Sequence, residues 1–329
     1  MERQVLLPRS LAVLTVILGT NSDVFGAADA LTTSILRECP TDSTLDIDLA
    51  EFFRDTAING TVIEITTNAP LTDPVFFVEL FDLSTPLTVE NFLAYVMDGA
   101  YDASFIHRSV SDFVIQGGGF ETPSVPADQP GSDPIAIDTK GTVPNEPGIS
   151  NVRGTVAMAK LGGQPNSATS QWFVNLNDNT FLDTDNGGYT VFGEVLGAGM
   201  TVVDTLAAAP TYDATVYYDN GVFSHLPLWK VNYDNIVLPE DFVRIETIRE
   251  GEALTFSYSF DSNVLAANIS GSVLSINCAQ TRPPKTVVVQ ATSKLDNSTA
   301  DLEISLTAPS LDPAILWFIT RPTHIEPDA

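Results

Sequence analysis

The chain is poor in the residues that most enzyme chemistry draws on. Its 329 residues include three histidines, His107, His225 and His324, and two cysteines, with no Cys/His cluster. A zinc site needs several such ligands close together, so the inventory argues against one. No Gly-x-Ser-x-Gly elbow occurs, which leaves a serine esterase without support. Cations are scarce as well: 15 Lys and Arg stand against 42 Asp and Glu, a formal net charge of −27. Binding nucleic acid takes a cationic face for phosphates, and holding anionic lipid takes a polybasic patch; this composition argues against both. Beyond the N-terminus no apolar run nears the ~20 residues of a spanning helix, so no transmembrane span is expected. No metal or cofactor is called for.

What is present points to a soluble, exported, folded chain. Apolar residues make up 44% and charged residues 17%, enough for a buried core. Residues 1–27 carry Arg3 and Arg9, a short apolar run from Leu11 to Leu18, and small residues at Gly26, Ala27 and Ala28. That layout reads as a secretory signal; the alternative is a buried N-terminal helix. A signal places the mature protein in the periplasm or outside the cell. In an oxidising compartment Cys39 and Cys278 have one possible pairing, with two free thiols as the alternative.

Charge and pattern divide the rest. Residues 28–57 read as an N-terminal linker or strand segment. Residues 58–240 carry 22 acids but five cations, Arg108, Lys140, Arg153, Lys160 and Lys230. In that block 61–66, 74–80, 113–116, 155–160, 171–176 and 189–195 read as strands. Apolar residues at helical spacing predict helices over 88–98, capped by Thr85 or Thr88, and over 200–208. Residues 121–150, rich in Pro, Gly and Asp, read as loop. Many strands with two helices fit a mainly β fold, a closed barrel capped by helices. Residues 241–329 alternate in 253–260, 273–277, 286–292 and 300–306, which suggests a small β-sandwich.

Three motifs concentrate the chemistry. The first is Phe105-Ile106-His107-Arg108 running on to Phe113-Val114-Ile115-Gln116-Gly117-Gly118-Gly119. The second is Gly154-Thr155-Val156-Ala157-Met158-Ala159-Lys160, continued by Ser167-Ala168-Thr169-Ser170-Gln171-Trp172-Phe173. The third is Phe181-Leu182-Asp183 followed by Tyr189-Thr190-Val191-Phe192-Gly193. In order and spacing residues 58–240 resemble the cyclophilin family of peptidyl-prolyl cis/trans isomerases, most closely its exported bacterial members. The resemblance implies an eight-stranded antiparallel barrel with two capping helices and a groove on the outer face. It implies Arg108 as the catalytic arginine, with Phe113 and Gln116 beside it. Val114, Phe173 and Leu182 would line a proline pocket, and Gln116 would bond the substrate backbone. Ala159 and Lys160 would hold the residues before proline, Gln171 would support Arg108 or the groove, and Phe181 and Tyr189 would complete the rim. Phe181 stands where many eukaryotic members have Trp, which implies weak cyclosporin binding.

Each residue has a plainer reading. Arg108 alone could be a surface cation paired with an acid. Phe113, Val114 and Phe173 could be barrel core. His107 reads as structural, pointing away from Arg108. The triple glycine lacks a following helix, so it is a tight turn rather than a phosphate loop. Asp183-Thr184-Asp185-Asn186-Gly187 hints at a calcium loop but lacks the closing Glu. Residues 241–329 weakly resemble the Ig-like or cadherin-like domains of secreted bacterial proteins. Leu45 to Phe53 could add a strand to them, which would bring Cys39 to Cys278. The apolar Ile315 to Ile319 reads as a docking or packing strand. Two functions follow: an isomerase acting on Xaa-Pro bonds of unfolded or exported proteins, or a secreted proline-binding scaffold with little turnover.

Overall fold

A computed structural model of the chain describes residues 27–40, 43–55, 58–126, 132–231, 237–260, 266–278 and 285–307. The signal read in residues 1–27 (save Ala27) and the Ile315–Ile319 tail lie outside them. The N-terminal segment gives β1 (Ser34–Glu38) and β2 (Thr44–Asp48). The central region gives β3 (Val62–Thr67), β4 (Val75–Leu80), α1 (Pro86–Met97), β5 (Arg108–Val110), β6 (Val114–Gly117), β7 (Thr155–Met158), β8 (Trp172–Asn175), β9 (Val191–Val195), α2 (Met200–Ala207) and β10 (Arg244–Glu250). Five more strands follow: β11 (Leu254–Phe260), β12 (Ala267–Ser270), β13 (Val273–Asn277), β14 (Lys285–Ser293) and β15 (Thr299–Thr307).

The protein is mainly β with few helices, and its largest sheet is curled. Strand order there is β10-β3-β4-β9-β7-β8-β6-β5, extended beyond β10 by the two-residue strands 104–105, 120–121 and 135–136. All its pairings are antiparallel. The inner face carries Ile63, Ile65, Phe76, Val78, Ile115, Val156 and Val174, with Trp172 and Phe192 filling the centre. The helices bury Phe92, Tyr95 and Val96 of α1, and Val202, Val203 and Leu206 of α2, into this core. At ~25 cal/mol per Å², each buried Leu, Val or Phe contributes roughly 1.5–3 kcal/mol.

The start of α1 corrects the expected cap. Pro86 opens the helix, where its missing N–H costs nothing. Thr85 makes no side-chain cap bond. Instead Glu146, from the long loop, accepts from Thr88 N at 2.8 Å and Thr88 Oγ1 at 2.7 Å. A carboxylate at the positive end of the helix dipole is favourable, and it pins the loop to the helix.

A second unit is built from both ends of the chain. One sheet runs β11-β14-β15-β1, with β1 parallel to β15; the other runs β12-β13-β2. The two share one apolar core that includes Ile47, Phe53, Leu274, Ile276, Val287, Val289, Leu302 and Ile304. Cys39 and Cys278 lie in that core, joined by a disulfide with their Cα atoms 5.4 Å apart.

The segment 28–57 is therefore no mere linker here, since β1 and β2 belong to the second unit. The division expected between 240 and 241 also falls one strand early. β10 pairs with β3 from Ile245 to Glu250, so the main sheet continues to Glu250. Four of the seven residues of this strand are charged, yet Ile245 and Ile248 are fully buried. The chain then crosses over at Gly251, whose N donates to Val62 O at 2.8 Å. A Cβ there would sit 2.9 Å from that of Glu64, so only glycine fits the approach.

Candidate active site

Strand register assembles the site. Across β5 and β6, Arg108 pairs with Gln116 and Ser109 with Ile115. Across β6 and β8, Gln116 pairs with Phe173 and Ile115 with Val174. Phe173 in turn faces Ala157 on β7. Side chains alternate between the faces of a strand. Ser109, Ile115 and Val174 thus turn inward, and Arg108, Gln116 and Phe173 form one outward row. Val114, two residues before Gln116, shares that face. Asp112, at φ 56°, and Phe113 N, donating to Val110 O at 3.1 Å, close the β5–β6 turn.

On this row lies a groove of about 240 Å³, lined by Arg108, Phe113, Val114, Gln116, Ala159, Lys160, Phe173, Leu182 and Tyr189. Val114, Phe173 and Leu182 are buried and make an apolar floor. Tyr189 meets Phe173 edge-on at 5.9 Å. Arg108 Nη1 donates to Gln116 Oε1 at 3.4 Å, and Gln116 Nε2 donates to Gln171 Oε1 at 2.9 Å. The guanidinium also lies 5.7 Å from the Phe113 ring centroid. Burial lowers the Arg108 pKa while Tyr189 opposes the shift; an arginine so placed remains charged at neutral pH.

Two of the sequence candidates stand outside the lining. Gln171 lies behind Gln116, whose Nε2 donates to it. Phe181, 58% exposed, stacks on Phe113 with centroids 5.8 Å apart. Lys160 lies over the Tyr189 ring at 4.7 Å and donates to Asn186 O at 3.0 Å and to Gly188 O. It ties the 186–189 turn to the groove wall. Burial lowers its pKa and Asp185 works against that.

His107 points away from the groove, buried against Phe120 with ring centroids 5.3 Å apart. Burial and the neighbouring Arg108 push its pKa down to about 3, against a hydrogen bond with Gln171. It is neutral at any physiological pH. In the glycine run, Gly118 has φ +72°, and a Cβ on it would meet Ser170 O at 2.6 Å. The run lets β6 turn closely past β8.

Sequence reading missed a buried amide network beneath the floor. Asn175 Nδ2 donates to Thr155 Oγ1 at 2.9 Å. Asn179 Nδ2 donates to Asn175 Oδ1 at 2.8 Å and to Phe113 O at 2.9 Å. Asn151 Nδ2 donates to Asp183 Oδ1 at 3.0 Å and Tyr189 O at 3.2 Å. Asp183 also accepts from Ser150 Oγ at 2.6 Å and Asn151 N at 2.7 Å. Burial raises the Asp183 pKa, but these hydrogen bonds outweigh it and hold the carboxyl below its usual range. Phe113, Leu182 and Tyr189 are fixed through this network. The available signal was Asn175 inside an apolar strand, where an amide needs partners. Asp183, spent on Ser150 and Asn151, is no free calcium ligand. Among the described residues no group of three His, Cys, Asp or Glu could hold a metal ion.

The arrangement offers an apolar slot for a small ring, an oriented amide for a peptide backbone, and a fixed cation between them. A family profile described as cyclophilin type peptidyl-prolyl cis-trans isomerase/CLD matches residues 62–224. A peptidyl-prolyl cis-trans isomerase of Acinetobacter baylyi is 40% identical over 157 residues, 47% of this chain and 76% of the relative. The isomerase cyp18 of Streptomyces antibioticus is 45% identical over 148 residues, 43% of this chain and 82% of the relative. Isomerase B of Escherichia coli is 40% identical over 149 residues, covering 43% and 84%. A solved cyclophilin type isomerase of Cryptosporidium parvum, crystallised in the presence of the dipeptide Ala-Pro, is 25% identical over 58% of this chain and 99% of its own, at a TM-score of 0.40.

Proposed function

From the premise that the chain belongs to the cyclophilin-type peptidyl-prolyl cis-trans isomerase family, we propose that it isomerises Xaa-Pro bonds of exported proteins during their folding, in the periplasm or outside the cell. The observation that carries the reading is the outward row of Arg108, Gln116 and Phe173 above the apolar floor. Export is supported by the signal-like residues 1–27 and by a disulfide that persists only under oxidising conditions.

Rotation about a prolyl amide faces a barrier of ~18–20 kcal/mol, because nitrogen shares its lone pair with the carbonyl. A catalyst needs to bind the twisted amide better than either planar form. Val114, Phe173 and Leu182 grip the ring. Gln116, oriented by Gln171, bonds the substrate backbone on one side so that the other side rotates. As the amide twists, nitrogen regains its lone pair, and Arg108 donates a hydrogen bond to it. That bond exists mainly in the transition state, so it accelerates the step. A rigid guanidinium holds its direction better than a lysine would. Ala159 and Lys160 line the end of the groove assigned to the residues before proline, and Phe181 and Tyr189 complete its rim.

Three finer points belong to the same proposal. The eight strands of three or more residues in the main sheet form the family's barrel, spanning 62–250. The second unit is an Ig-like β-sandwich assembled from 28–55 and 254–307. Cyclosporin binds weakly, because Phe181 offers less surface than Trp and no indole donor.

The test is magnetisation-exchange NMR on a short Xaa-Pro peptide. The wild-type protein should give fast exchange, and Arg108→Ala should lose about 10²–10³-fold in rate, the cost of one oriented transition-state donor. Peptide binding without exchange in the wild type would instead leave a proline-binding scaffold.

A further inference from the structure

Between α2 and β10 the chain makes an excursion that presents apolar side chains to solvent. Tyr212, Val216, Tyr217 and Val222 are 38%, 95%, 52% and 38% exposed. Single exposed apolar residues need no explanation, but four within one short loop do.

The loop is held firmly from behind. Phe223, Leu226 and Leu228 are buried with Phe105, Phe120 and Phe242. Tyr218 meets Phe223 edge-on at 5.2 Å, and Tyr217 meets Tyr218 at 4.9 Å. Asp213 Oδ1 accepts from Thr215 Oγ1 at 2.7 Å, and Asn220 Oδ1 accepts from Val222 N at 3.2 Å. Thr211 and Tyr212 pair with Pro227 and Leu226 in a two-stranded ribbon. The exposed side chains therefore sit on a fixed platform, where contact costs little ordering entropy. Tyrosine suits such a surface, offering large area for few rotatable bonds.

The 221–225 turn and the 226–227 strand pack against β5, the strand that carries Arg108. We propose that the 212–222 loop is a second contact surface for the substrate, binding apolar and aromatic side chains of an unfolded polypeptide several residues from the proline in the groove. Its packing on β5, the strand that carries Arg108, selects this occupant. Asp213 and Asp219 on the loop, within a block of 22 acids, select further for segments poor in acidic residues. The inference rests on the isomerase reading, and a tetrapeptide is too short to reach the loop.

The experiment compares two substrates: a Xaa-Pro tetrapeptide, and an unfolded protein whose refolding is limited by one prolyl bond and whose sequence near it is aromatic-rich. The variants are Val216→Ser/Tyr217→Ser and, separately, Val216→Asp, at a side chain too exposed to matter for packing. Expected is a kcat/KM on the tetrapeptide within about twofold of wild type and a fall of at least fivefold on the protein substrate. Unchanged rates on both substrates would overturn the proposal. So would equal losses on both, which would make the loop a mere brace for β5. Concentration-dependent self-association of the wild type, lost in the variants, would assign the patch to a second copy and likewise overturn it. If the wild type fails on the tetrapeptide itself, the isomerase reading falls instead.

Discussion

Breaking the Cys39–Cys278 bond should separate the stabilities of the two units. The isomerase unit is inserted between the two halves of the second unit, and the disulfide spans a sequence separation of 239. In the chain-entropy account, closing a loop that long in a wholly unfolded chain is worth about 5.5 kcal/mol. If the isomerase unit stays folded while the second unit opens, roughly 50 flexible residues remain in the loop, and the value falls to about 4 kcal/mol. Both cysteines lie in the apolar core, so Cys39→Ser/Cys278→Ser would add a cost for buried hydroxyls; reduction of the wild type avoids it. For a unit of this size ~4 kcal/mol corresponds to a fall of roughly 15–30 °C in midpoint. Differential scanning calorimetry with and without reductant reads the shift directly. Two transitions are expected after reduction, only the lower belonging to the second unit. Isomerase activity should persist between them, because the units meet away from the groove: Lys294 with Glu64 at 3.2 Å and over the Phe77 ring, Leu295 beside Gly197, and the Gly251 crossing. A single transition moved by less than about 5 °C would refute the loop argument. Loss of activity together with the second unit would refute the independence of the groove.

Two further predictions concern the groove's support. His107 is neutral in the folded state down to about pH 3, whereas an unfolded histidine protonates near 6.5. Its contribution is full above pH 6.5 and is lost as pH falls toward 3, so the wild type should lose ~3 kcal/mol between pH 8 and pH 4 through this group. Urea titrations of His107→Gln at the two pH values should lack that increment, and an identical pH dependence in both proteins would sink the assignment. Asp183→Ala leaves the Asn151 N–H and one of its Nδ2 protons without their acceptor and should cost ~2–4 kcal/mol. Because Asn151 also holds Tyr189 O, peptide KM should rise severalfold with a smaller change in kcat. A variant that is destabilised but has an unaltered KM would confine Asp183 to a structural role.

Much of this protein was legible in its sequence because its signals are local. Strand alternation in 61–66, 74–80, 253–260 and 300–306 survives as β3, β4, β11 and β15, since period-two burial is written in neighbouring residues. The groove residues, Arg108 and Gln116 as much as Phe173 and Leu182, were legible only through the family resemblance; the structure sets Arg108 and Gln116 on the two arms of one hairpin, where a tight turn fixes their register. The rest depended on partners distant in sequence. β10 does not read as a strand, its four charges interrupting the apolar pattern, and pairing with β3 buries Ile245 and Ile248. The cap of α1 comes from Glu146, 58 residues beyond Thr88. Asn151, Asn175, Asn179 and Asp183 read as ordinary polar residues until the fold buries the three amides and joins all four to one another and to Thr155, Ser150 and the backbone of Phe113 and Tyr189. The pairing of Cys39 with Cys278 was undecided between bridge and free thiols, because a pairing is a statement of distance. The sequence by itself thus determined the strands whose burial alternates locally and named the candidate groove residues. The tertiary structure decided what braces those residues and made one β unit from the two ends of the chain, because hydrogen-bond partners and burial are settled only when distant segments come together.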